Sequence, residues 1–163
     1  MLPLLDNLPP GAEAFDFFPG EWTVRHRRLN QRLAGCRDWT EFKGRTVVQK
    51  TLGGLGNMDD NILDLPDGPY RAMTIRQFDP ATGLWSIWWC DARYPGLDTP
   101  MKGAFKDGVG TFLADEIFEG RPIVVRFLWS GISATTARWE QAFSEDGGER
   151  WETNWIMDFE RVR

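Results

Sequence analysis

The sequence predicts an all-β fold, an antiparallel up-and-down β-barrel of roughly ten strands with a short N-terminal helical segment. Turn signals recur at short, regular intervals: Asp67-Gly68, Asp107-Gly108, Glu119-Gly120 and Asp146-Gly147, with Asp79-Pro80-Ala81-Thr82-Gly83 fitting a type I turn that closes on a left-handed glycine. The segments between them are short and rich in β-branched and aromatic residues, and several alternate apolar with polar side chains. No helical period of useful length appears after Gly20.

Before that glycine the chain carries Pro3, Pro9, Pro10 and Pro19, and the apolar run from Ala12 to Phe18 suits a helical turn after Pro10-Gly11, placed to plug one end of a barrel. The first strand follows Gly20-Glu21-Trp22. Its alternation sets Trp22, Val24, His26 and Arg28 on one face and Thr23, Arg25, Arg27 and Leu29 on the other, with Arg25 and Arg27 expected to face solvent. A second strand covers Trp39 to Val48, with Gly44 read as a bulge or a bend.

The stretch from Leu52 to Asn61 is the most irregular. Its glycines, Gly53, Gly54 and Gly56, lack the Gly-Lys-Ser/Thr ending of a phosphate loop and precede no helix, so a flexible loop over the barrel mouth is expected. Asn57, Asp59 and Asn61 have the spacing of a calcium loop, but Ile62 stands where its glycine is required and no bidentate Glu follows. Strands are then expected over Asn61 to Leu65, Tyr70 to Phe78, Leu84 to Ala92, Met101 to Lys106, Val109 to Phe118, Ile123 to Trp129, Thr135 to Phe143 and Arg150 to Val162.

A chain of 163 residues is expected to form a single domain over 1–163, with a core that needs no staples. A net charge of -5 argues against nucleic acid, whose phosphates must be met by Lys and Arg. Cys36 and Cys90 are isolated in sequence, which disfavours a zinc site and suits reduced thiols in the cytoplasm. Met1 to Asp6 lacks the basic and apolar regions of a signal peptide, and no later run is long enough to span a bilayer, so no membrane partner is expected.

The Gly20-Glu21-Trp22 opening, the Gly53 to Asp59 loop, the Phe78-Asp79-Pro80-Ala81-Thr82 turn and the run from Gln141 to Trp155 together resemble a widespread bacterial family of uncharacterised, lipocalin-like (calycin) proteins. The match spans about Phe15 to Arg161 and implies a calycin barrel without an agreed activity. In lipocalins a basic residue near the end of the last strand packs across the opening Trp, a part the resemblance gives to Arg161 over Trp22. A more distant resemblance, to heme-binding nitrobindin-type barrels, implies a histidine on the C-terminal strand; this chain has none there, and no cofactor is expected.

Nine Trp and eleven Phe exceed what a single interior needs, which suggests that some line a cavity for a small hydrophobic or aromatic molecule. The expected lining is Trp22, His26, Arg28, Trp89, Trp129, Gln141 and Trp155, with no metal. His26, the single histidine, and Asp91, at the end of a tryptophan-rich strand, are the catalytic candidates if the barrel is instead a cofactor-free isomerase, cyclase or decarboxylase. The competing reading of Asp91 is a turn acid paired with Arg93. A third reading makes exposed tryptophans such as Trp88 a homodimer face.

Overall fold

Buried and exposed side chains alternate along nearly every strand of the computed structural model, which describes residues 2–162. That alternation wraps one apolar face around an interior. The strands are β1 (Gly20–Leu29), β2 (Trp39–Thr51), β3 (Gly56–Leu65), β4 (Gly68–Asp79), β5 (Leu84–Asp91), β6 (Met101–Lys106), β7 (Val109–Phe118), β8 (Arg121–Ser130), β9 (Thr136–Ser144) and β10 (Glu152–Arg161). Each pairs antiparallel with its sequence neighbours, and β1 also pairs with β10, from Trp22 opposite Arg161 to Arg28 opposite Trp155, so the sheet closes on itself. The helical segment is a single 3-10 turn, Ala12–Phe15.

The turn chemistry works as expected at two hairpins. Asp107 and Gly108 (φ 52° and 77°), and Glu119 and Gly120 (φ 49° and 78°), put both central residues in the left-handed region, where the backbone twist matches that of the flanking strands. Asp146-Gly147 instead belongs to a wider loop, because the Asp146 carboxylate gathers the backbone amides of Glu149 and Arg150 and the hydroxyl of Ser144.

Two expectations are corrected. Gly44 is not a bulge: it pairs in register with Val24 on one side and Leu63 on the other. A Cβ there would lie 2.7 Å from Nε2 of His26 and 2.7 Å from the Ile62 carbonyl oxygen, so the missing side chain makes room for the imidazole. The glycine loop does not cover the mouth. Leu52–Gly54 forms a short 3-10 turn beside the N-terminal segment, where the Leu5 amide donates to the Gly53 carbonyl, and Asn57 to Asn61 belong to β3.

The segment before β1 seals this end of the barrel. Phe15 and Phe18 are fully buried; Phe15 meets Trp85, Phe105 and Phe112, and Phe18 meets Trp22, Trp129 and Phe159. Two indoles tie the segment to the wall, Trp22 donating to the Phe18 carbonyl at 2.7 Å and Trp85 to the Gly11 carbonyl at 3.0 Å. Arg161 is the latch. Its guanidinium lies 4.2 Å from the Trp22 ring and donates to the carbonyls of Phe17, Pro19 and Ala134. Replacing Arg161 with Met, which keeps the packing stem and removes the donors, is expected to lower unfolding free energy by about 1–3 kcal/mol in urea titrations. Unchanged stability would show that the latch is ornamental.

Candidate functional site

With the plug at one end, the other end is bounded by the β1–β2, β3–β4, β5–β6, β7–β8 and β9–β10 connections, and between plug and mouth lies a cavity of about 290 Å³. Its floor is Phe18 of the plug with Trp129 of β8 and Phe159 of β10 beside it, Trp129 stacked on Phe159 at 5.5 Å. One wall is aromatic. Trp155 of β10 stands at its centre, edge-to-face with Trp89 at 5.8 Å and with Trp139 at 5.4 Å, and Phe127 meets Trp139 at 4.8 Å.

The opposing wall is polar. On β3 and β4 the inward faces bring Asn57 opposite Arg76 and Asp59 opposite Thr74. Arg76 and Asp59 are almost completely buried and form an ion pair at 2.7 Å. Nη1 of Arg76 also donates to the Asn57 side chain at 2.9 Å, and the other Asp59 oxygen accepts from the Thr74 amide at 2.8 Å and from Asn61. Two buried charges are tolerable here because nearly every polar atom is answered and the guanidinium lies against Phe15, Phe18 and Trp129.

The mouth carries the remaining charges. Arg28, at the end of β1, donates to the Tyr70 hydroxyl at 2.8 Å and lies 4.0 Å over the Trp155 ring. Arg32, in the following connection, lies 5.4 Å from the Phe143 ring, and burial together with the Arg28 charge lowers it to about 10. Asp98 and Glu116 also line the mouth; burial raises both carboxyls, with Asp91 adding to the rise at Asp98 and Asp98 to that at Glu116.

Of the residues singled out from sequence, Arg28, Trp89, Trp129, Gln141 and Trp155 lie on the cavity, Gln141 donating to the Asn154 side chain at 2.8 Å. Trp22 and His26 lie behind it. Trp22 is fully buried beneath Arg161. The His26 ring stacks on Phe42 at 4.5 Å, and its Nδ1 accepts from the Trp155 indole at 3.1 Å, so the imidazole holds the central tryptophan of the aromatic wall. Burial, then the Arg28 charge, lowers His26 to about 3, leaving it neutral at physiological pH.

Asp91 reaches the mouth, but its carboxylate is gripped by Arg93 at 2.8 and 3.0 Å. Burial acts to raise that carboxyl, and the Arg93 side-chain and backbone hydrogen bonds overcome it, so Asp91 sits below the usual range as a strand-end turn acid. Trp88 is half-buried on the outer face. Among the described residues no group of three or more His, Cys, Asp or Glu side chains is placed to hold a metal ion, and no helix is long and apolar enough to cross a membrane.

No protein-family model matches the chain, and no curated protein matches it. Solved structures do. EF1p2_mFAP2b bound to DFHBI shares 13% identity, covering 93% of this chain and 99% of that one, with a TM-score of 0.51. The S-type phycobiliprotein lyase CPES from Guillardia theta shares 7% identity over 93% of this chain and 92% of that one, with a TM-score of 0.55. The fold is calycin-like. At such low identities the likeness is one of architecture.

The buried groups generate two expectations. Asp59→Ala strands the Arg76 charge and should cost about 3–5 kcal/mol of stability in denaturant titrations, with most of the loss recovered by pairing it with Arg76→Met. His26 is the only histidine in the chain. Its folded-state value of about 3 lies below the ordinary 6.5, so the unfolded chain takes up the proton first: stability is fully present above pH 6.5 and is lost as pH falls toward 3. Asp98 and Glu116, raised in the folded state, act with the opposite sign, so the His26 contribution is read as the difference from a variant that lacks it. Between pH 6.5 and 5 the unfolding free energy of the wild-type chain relative to His26→Gln should therefore fall with a slope approaching about 1.4 kcal/mol per pH unit.

Proposed function

We propose that the barrel binds a small hydrophobic or aromatic molecule in its cavity. The observation that carries this reading is the unequal lining: a floor and one wall built from edge-to-face rings, a small set of anchored polar groups opposite, and an open end through which a ligand enters. A structure of the same fold holds DFHBI, and another is a phycobiliprotein lyase, so this architecture accommodates small-molecule work elsewhere. Trp89, Trp129 and Trp155 supply the apolar faces, Arg28 and Gln141 set orientation, and Trp22 and His26 act from behind by holding the plug and Trp155 in place.

Catalysis through His26 has less in its favour, since the ring is screened by Trp155 and stays neutral. The motif resemblance supports placing the chain with bacterial lipocalin-like proteins, and the free thiols of Cys36 and Cys90 suit a reducing cytoplasm. A neutral aromatic dye such as N-phenyl-1-naphthylamine should bind saturably and quench tryptophan emission. Gln141→Trp, which fills the cavity from its wall, should weaken that binding by roughly tenfold or more with the far-ultraviolet circular dichroism unchanged. Equal affinity in both proteins would place the dye outside the cavity and end this reading.

A further inference from the structure

Two cations at the mouth stand without the carboxylate partners that the other cavity-lining arginines have. Arg76 is paired with Asp59 and Arg93 with Asp91. Arg28 and Arg32 line the same cavity, yet among the described residues no carboxylate lies within ion-pair distance of either. Nε of Arg28, like that of Arg76, is buried with no hydrogen-bond partner, but where Arg76 has a carboxylate, Nη2 of Arg28 has only the Tyr70 hydroxyl. Glu152, whose field reaches Arg32, spends an oxygen on the Leu33 amide at 2.7 Å.

The chain holds Arg32 in place at a local conformational cost. Leu33, the next residue, has φ 54°, a left-handed backbone that a leucine rarely adopts. Its amide is fixed by Glu152 and its side chain packs against the core, so the β1–β2 connection folds inward and brings Arg32 to a cavity already occupied by the Arg28 charge. Like charges brought together in a partly desolvated mouth repel, and Arg32 is held below its ordinary value first by burial and then by the Arg28 charge. The repulsion is relieved by an anion. The flanking rings, Trp155 and Phe42 for Arg28 and Phe143 for Arg32, leave the guanidinium edges as the groups that can donate.

We infer that the ligand is an aromatic acid whose oxyanion is held by Arg28 and Arg32 at the mouth, with its ring system directed inward against Trp89 and Trp155. The inference rests on the ligand-binding reading and adds a charge to it. Asp98 and Glu116, elsewhere on the mouth, reject an anion on their side and so fix which way round the molecule enters.

The test is a matched pair of ligands of the same shape, 2-naphthoate and 2-naphthamide, titrated calorimetrically into the full chain at neutral pH. The naphthoate should bind roughly 10- to 100-fold more tightly than the amide, and added salt should narrow the gap. In Arg32→Gln, and in Arg28→Met combined with Arg32→Met, the ratio of the two affinities should collapse toward one. Equal binding of both ligands by the wild-type chain overturns the anion site and leaves a neutral-ligand barrel standing. Binding of neither overturns both readings. A preference that survives in Arg32→Gln moves the anion away from this pair. The wild-type comparison decides the matter even if the double variant fails to fold.

Discussion

A barrel of ten strands is wider than its own inward side chains fill, since closure at about eight strands already leaves an interior that a layer of residues or one small ligand occupies. The rest of the structure depends on how that surplus width is handled. At one end it is filled by chain: Phe15 and Phe18 enter from the N-terminal segment and complete a cluster that no strand residue could complete alone. At the other end it is left open, and there the cavity lies. Through Phe18 the plug is therefore also part of the floor of the site.

Charge follows the same division. Near the plug, Arg76 and Asp59 are paired with each other and serve the wall. Toward the mouth the charges are only partly answered. His26 links the two regimes: Gly44 makes room for its ring, Phe42 stacks on it, and its nitrogen holds Trp155, the residue on which Arg28 rests. A perturbation at an apparently inert imidazole would thus be felt at the aromatic wall.

The architecture was legible because period-two alternation and Asp-Gly or Glu-Gly turns are local signals, read without knowing what packs where. The inward face of β1 follows from the same logic, whereas the packing of Arg161 on Trp22 was implied by the family resemblance. The polar wall was not legible. Gly53, Gly54 and Gly56 hid the start of β3, so Asn57, Asp59 and Asn61 looked like a loop when their spacing is that of one strand face, answered by Thr74 and Arg76 on β4. The place of Arg32 on the cavity was not legible for a different reason: it depends on a left-handed leucine and a distant glutamate, neither of which leaves a pattern in the neighbouring residues. His26 could be placed inward from alternation, but whether it touched the cavity or stood behind Trp155 turned on a pairing between the first and last strands.

That pairing bears on how the chain reaches its native state. On the ribosome, β2 can dock on β1 early, but the other edge of β1 has no partner until β10 has emerged, and the latch at Arg161 comes at the very end of that strand. Until β10 emerges the nascent chain presents two unsatisfied sheet edges and an unsealed aromatic interior, the combination that invites intermolecular strand pairing. Closure is thus dominated by a contact between remote parts of the sequence, a topology that folds slowly and gives chaperones a long interval in which to act.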